Sequence, residues 1–205
     1  MNESELTLGR VFIGSKKMRG PWASRPDGAL TVDVTSAQRK DSPYRKDFSP
    51  MHLAPYEGFA CFENYWQGHK VYEGIAEQQS LAWWRALVVP KRRYPAGKGK
   101  RVLHSNFGGI LRNYLQSRKE IYVPLYHAMM VETPSFTQLK ARVEEGQDVV
   151  IMDFDGPKGP QGELLCEAVT LDLLQSKIND EQFPFGHGYV IAAALAGIPV
   201  DQFTA

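Results

Sequence analysis

Carboxylate, amide and amine side chains recur at helical spacing in segment 62–70, where Glu63, Gln67 and Lys70 fall at i, i+4 and i+7 and so share one helix face. A carboxylate flanked by an amide and an ammonium could move a proton on a bound ligand or hold its hydroxyls. A solvated helix face carries the same residue types. Two more carboxylates, Asp153 and Asp155, follow the apolar run Val149, Val150, Ile151 and Met152, which reads as a buried strand. Open α/β sheets place ligands at the carboxyl ends of their strands; the alternative is an Asx turn entering a Gly-Pro loop. Further on, Phe185, Gly186, His187 and Gly188 precede an apolar helix. Their backbone N–H groups and the helix dipole suit a phosphate, and the two glycines equally suit a tight turn that docks a buried helix.

Charge is concentrated in one tract. Positions 85–101 hold Arg85, Lys91, Arg92, Arg93, Lys98, Lys100 and Arg101 without an acidic residue, although the whole chain carries a net charge of only +1. With Trp83, Trp84 and Tyr94 close by, the tract could take nucleic acid or the phosphates of a nucleotide, or it could be a solvated loop. His52, His104 and His127 have no partners at ligand spacing and read as structural or surface residues. Cys61 and Cys166, the only two cysteines, lie too far apart in sequence for a zinc motif and read as buried thiols.

The elements that must position these groups can be read from periodicity. Short strands are expected over 10–15 and 30–35, a long functional surface loop over 36–60, and helices over 62–70, 78–87, 109–117 and 123–130. A helix over 135–145 starts at Ser135 as N-cap and closes at Gly146. The buried strand 149–152, the glycine- and proline-rich loop 153–162 and an amphipathic helix over 163–178 follow. The end, 183–205, combines the Phe-Gly-His-Gly turn with a helix over 189–196 that is apolar on most sides and therefore buried.

Composition excludes several classes. In 205 residues, 43% hydrophobic and 23% charged, the chain matches a globular protein rather than a disordered, fibrous or membrane-embedded one. No window approaches the ~18 apolar residues of a membrane span, and the acidic N-terminus lacks the basic and apolar regions of a leader, so a reducing cytoplasm is the expected setting. The expected fold is α+β (mixed α/β), one compact domain with helices packed around a small sheet.

The run Phe62-Glu63-Asn64-Tyr65-Trp66-Gln67-Gly68-His69-Lys70 resembles the signature of the NADAR family, in which a Ser-Glu-His/Asn-Ala/Tyr-aromatic-Gln-Ala-x-Lys run opens the catalytic helix. Ser49-Pro50-Met51 and Pro55-Tyr56-Glu57-Gly58 resemble the elements upstream of it, and 149–162 resembles the family's Asp-bearing strand and glycine-rich loop. The resemblance spans roughly 31–178, with 61–178 as its core, 1–35 as leading strands and 179–205 as a C-terminal buried helix without a counterpart. Where the family carries a Trp-Gly near its second acidic site, this chain has Phe154, Asp155 and Gly156; its Met-Gly-Arg element is at best echoed by Gly97-Lys98-Gly99-Lys100-Arg101.

The resemblance implies cleavage of an N-glycosidic bond to ribose in an ADP-ribose-type nucleotide, an ADP-ribosylated base or a modified nucleoside, with neither metal nor cofactor. In that scheme Glu63 is catalytic, with Asp153 or Asp155 assisting. Tyr65, Trp66, Gln67, Lys70, Arg92, Arg93, Arg101, Gly186 and His187 are candidates to bind substrate. The alternative is a binding protein for nucleotide or nucleic acid that keeps the pocket without turnover. Asp153-Phe154-Asp155-Gly156 also resembles the first motif of haloacid-dehalogenase-like phosphatases, but only 49 residues follow Gly156, too few for that fold's Lys and late acidic pair.

Overall fold

The structure is a computed structural model that describes residues 7–18, 25–53 and 55–205. Residues 1–6, which carry much of the acidic N-terminus, lie outside that range. In chain order the first elements are β1 Val11–Ser15, β2 Leu30–Asp33, α1 Pro43–Phe48, α2 Phe62–Gly68, β3 Lys70–Tyr72 and α3 Glu77–Arg85. A hairpin of β4 Val102–Phe107 and β5 Ile110–Arg112 leads to α4 Tyr114–Ser117, a π-helical turn Arg118–Tyr122, α5 Val123–Met130 and α6 Pro134–Glu144. The chain closes with β6 Val149–Asp153, β7 Cys166–Ala168, α7 Leu171–Ile178, α8 His187–Leu195 and α9 Val200–Thr204. The fold is α+β.

The apolar run of β6 becomes a central strand because it is buried on both faces, the pattern a parallel sheet requires. It lies between β2 and β1 in the order β2-β6-β1-β7, parallel to both neighbours, with β7 antiparallel at the edge. Val149 and Ile151 join Val11, Ile13 and Val32 in the main core, while Val150 and Met152 meet Phe12 on the opposite face. Helix α8, rich in alanine, lies directly on β1 and β6, and α5, α6 and α9 pack around it. Parallel pairing of β2, β6 and β1 brings the carboxyl ends of all three strands to one edge, beside Thr35, Phe154 and Asp155.

Several local expectations are corrected. The stretch 36–60 contains α1. The helix expected over 109–117 is instead the β4–β5 hairpin and the short α4: Gly108 (φ 63°) and Gly109 (φ 83°) occupy the two positions of a tight turn that needs left-handed backbone. Thr133, not Ser135, caps α6 by accepting from Phe136 N, with Pro134 at the first helical position. The helix expected over 163–178 begins only at Leu171, after Thr170 as N-cap, because β7 pairs with β1 first. The expectation of helix through Lys70 is also shortened, since α2 ends at Gly68 and Lys70 opens β3.

Candidate functional site

A cavity of about 410 Å³ opens at the carboxyl edge of the parallel sheet. Helix α2 supplies Glu63, Trp66 and Gln67 to its floor, and Lys70 joins them from β3. The early end of α2 keeps that alignment, because the strand that replaces the last helical residues still delivers the amine to the same side. The Glu63 amide donates to Pro50 O at 2.9 Å, tying the helix start to Pro50 and Met51, which also line the cavity. Across from α2, Phe154 and Asp155 enter from the end of β6, and Phe185, Gly186 and His187 from the start of α8.

Of the basic tract, only Arg92 and Arg93 reach this cavity. Buried Asn64, on α2, holds them there: its Nδ2 donates to Lys91 O at 2.6 Å and its Oδ1 accepts from Lys91 N at 3.2 Å. Arg92 also donates to Ser36 Oγ at 2.7 Å. Arg101 is exposed and does not line the cavity. Trp84 and Tyr94 are buried in a separate cluster with Phe59 and Tyr72, against which Trp83 packs, so these rings support the loop instead of offering stacking faces. Tyr65 likewise turns away from the cavity, into Tyr56, Phe59 and Phe107 at centroid distances of 4.8 to 5.7 Å. Trp66 does face the cavity and carries the Lys70 amine over its ring at 5.4 Å.

The two aspartates have separate places. Asp153 is buried and does not line the cavity. Its Oδ1 accepts from Phe154 N at 2.6 Å and its Oδ2 from Gly188 N at 2.8 Å, and Oδ2 lies 3.3 Å from His187 Nδ1. A Cβ on Gly186 or Gly188 would stand 2.6 Å from Asp153 Oδ2 or 2.7 Å from its Cβ, so both glycines are needed for this carboxylate to close on the start of α8. His187 is fixed at its other nitrogen by Val34 O, 2.9 Å from Nε2. Asp153 therefore positions α8 and His187, while Asp155 is the carboxyl that meets the cavity.

Burial and neighbours tune these groups. Burial raises the pKa of Glu63, opposed by the hydrogen bond from Gln67 and by the charges of Lys70, His187 and Arg92. Lys70 is lowered by the same burial, opposed by Glu63. Asp155 is pushed up to about 6 by burial and by the negative charge of Asp153. Perturbed carboxyls facing a cleft are what proton-transfer sites use.

Arg118 and Tyr122 were not singled out by sequence. Arg118 is only 2% exposed, yet it lines the cavity. It donates to the carbonyls of Lys177, Ile178, Asp180 and Phe183, stacks 4.4 Å over Tyr114, and leaves its Nε without a partner. The π-helical turn brings Arg118 and Tyr122 to the cavity together; such turns are frequent at functional sites. The only hint in the sequence was the continued basic character after position 101. Four basic side chains, Lys70, Arg92, Arg93 and Arg118, thus border the cavity against two carboxyls, and none of the four forms an ion pair with a carboxylate among the described residues.

Among the described residues no three His, Cys, Asp or Glu side chains group as metal ligands, and no helix is long and apolar enough to cross a membrane. Compared with protein-family models, curated proteins and solved structures, the chain matches none.

Proposed function

We propose that the chain is an N-glycoside hydrolase acting on the ribose of an anionic nucleotide, with chemistry like that of the NADAR enzymes its 62–70 segment resembles. The observation that carries this reading is that Glu63, Gln67, Lys70 and Asp155 share one cavity whose basic side chains outnumber its carboxyls. An excess of positive charge, exposed at Arg92 and Arg93 on the rim and more enclosed at Lys70 and Arg118, favours a ligand bearing phosphates, which can pair with several cations at once.

The chemistry is then divided among the residues. The bond from ribose C1′ to the base nitrogen breaks with its electron pair leaving on the base, and positive charge grows on the sugar ring. Glu63, held by Gln67, stabilises that charge and takes a proton from the water that attacks C1′. Asp155, protonated below about pH 6, gives its proton to the departing nitrogen. Arg92 and Arg93 hold phosphate oxygens at the rim, and Lys70 and Gln67 bond ribose hydroxyls.

The test is to incubate the protein with ADP-ribosylated guanosine, NAD and ADP-ribose derivatives and follow free base by chromatography. Base release that depends on Glu63 supports the hydrolase. Tight binding of these nucleotides without any release replaces it with a nucleotide-binding protein.

A further inference from the structure

A second cavity of about 450 Å³ adjoins the first, and the two share Asp155 and Pro184. Its lining differs in kind. Pro157, Pro160, Pro184 and the ring of Phe183 supply flat apolar surface, and polar or charged groups come from Lys158, Lys177, Asp180, Gln182 and Tyr189. Phe183 is 45% exposed, and the Lys158 amine stands 5.2 Å from its ring centroid. Tyr189 is only 2% exposed, and it lines this cavity.

Both walls are held in shape. The loop 157–165 is folded back on itself by Gly159 N to Glu163 O and Leu165 N to Pro157 O, each about 3 Å, around a bridge between Lys158 and Leu164. The opposite wall is the turn whose carbonyls at Lys177, Ile178, Asp180 and Phe183 accept from Arg118. One buried guanidinium in contact with the first cavity therefore fixes the shape of the second.

We infer that the second cavity receives the leaving base, a planar heteroaromatic ring that stacks on Phe183 and is read by the Tyr189 hydroxyl and the Gln182 amide. The inference rests on the hydrolase reading for what the first cavity holds, and deepens it by naming the leaving group's class and seat. Asp155 sits where both cavities meet, which is where an acid must stand to protonate the nitrogen of a base whose sugar lies on the Glu63 side. Flat apolar surface with polar groups set beside it on a pre-formed wall is how proteins orient flat ligands. Stacking on an aromatic side chain supplies much of the affinity for a base.

The experiment separates this cavity from catalysis by using Glu63→Gln protein, in which turnover is expected to be slower by roughly 10²-fold or more. Adenine, guanine and nicotinamide are titrated into it by calorimetry, with ribose 5-phosphate titrated in parallel. At least one free base should bind alongside ribose 5-phosphate. Phe183→Ala should weaken it by roughly tenfold and Tyr189→Phe by a smaller factor, while ribose 5-phosphate binding stays within about twofold. Phe183 is exposed, so its removal leaves the core intact. Base binding that ignores both substitutions, or that competes with ribose 5-phosphate for a single site, overturns the inference, as does absence of base binding at millimolar concentration. Base binding that depends on Phe183 in a protein whose wild type releases no base upholds the cavity and removes the hydrolase. Base release by wild type with base binding indifferent to Phe183 does the reverse.

Discussion

Gln67 Nε2 donates to Glu63 Oε1 at 2.8 Å from one helical turn away, so the amide both aims the carboxyl and opposes the effect of burial on it. Removing that donor with Gln67→Leu leaves burial less opposed, and the carboxyl is expected to hold its proton to higher pH. The acid-side limb of base release, where Glu63 must ionise, should therefore move to higher pH, with a drop in kcat larger than any change in KM. A pH profile that keeps its midpoint in Gln67→Leu would sink the coupling.

Asp155 is expected to act in the opposite sense. Its ordinary value of 3.8 is pushed up to about 6, so the folded protein prefers the protonated form. The stability this carboxyl contributes is fully present below pH 3.8 and is lost as pH rises through about 6. Asp155→Asn should be more stable than wild type above pH 6 by about 1 kcal/mol, after allowance for solvent screening of a half-buried group, and equal to it near pH 3.5. Activity should show the reverse benefit: base release falls above pH 6 in wild type, and the substitution lowers it at every pH. Urea melts and rates at pH 5 and 8 check both halves.

Asp153 reaches neither cavity, and its substitution tests a positioning role. Asp153→Ala strands the buried amide of Gly188 and the half-buried one of Phe154 and frees His187 on one side, which should lower stability by about 2–4 kcal/mol. Gly188→Ala drives a Cβ into the same carboxylate and should also destabilise. If Asp153→Ala melts like wild type yet loses all base release, the residue acts in chemistry and the structural assignment fails.

How much of this was legible beforehand varies with the kind of signal. The run Val149 to Met152 announces its own strand, and the alanine-rich helix announces its burial, because burial on every side leaves no room for polar residues. The face of Glu63 and Gln67 follows from helical period, whereas Lys70 arrives by a strand that no period discloses. The hairpin at Gly108 and Gly109 was masked by helix-compatible residues on either side, and only the paired glycines carried the turn. Arg118 was illegible for a different reason: its neighbours Lys119 and Glu120 look like a solvated face, and the π-helical turn that buries it is set by packing against the 177–183 turn far along the chain. The difference between Asp153 and Asp155 is equally tertiary, since two residues apart one carboxyl meets α8 and the other meets the cavity.

Arg92 and Arg93 should carry the salt dependence of ligand binding, for they are the exposed cations at the cavity rim. Converting both to Gln should weaken ADP-ribose binding by roughly tenfold at low salt and flatten its dependence on ionic strength. Lys98, Lys100 and Arg101 lie outside the cavity, so neutralising that trio should leave ADP-ribose binding within about twofold. Equal effects from the two sets would mean that charge acts over the whole tract and not at the rim.

Glu63→Gln asks what the carboxylate supplies that an amide of the same size cannot. The substitution keeps the reach of the side chain and its contact with Gln67 but removes the negative charge. If that charge balances positive charge growing on the ribose and takes a proton from water, turnover should fall by roughly 10²-fold or more, the scale of a lost general base. Binding of an unreactive nucleotide should change far less, because the carboxylate is needed most when the bond to the base is breaking. The excess of cations around the cavity adds a second expectation: loss of one negative charge should slightly tighten binding of ADP-ribose, so the variant combines better binding with lost turnover. A protein that only binds nucleotides shares the tighter binding but releases no base in either form. Chromatographic rates for wild type and Glu63→Gln, set beside calorimetric binding of ADP-ribose to each, decide the point, and equal rates of release in both proteins would remove Glu63 from the chemistry.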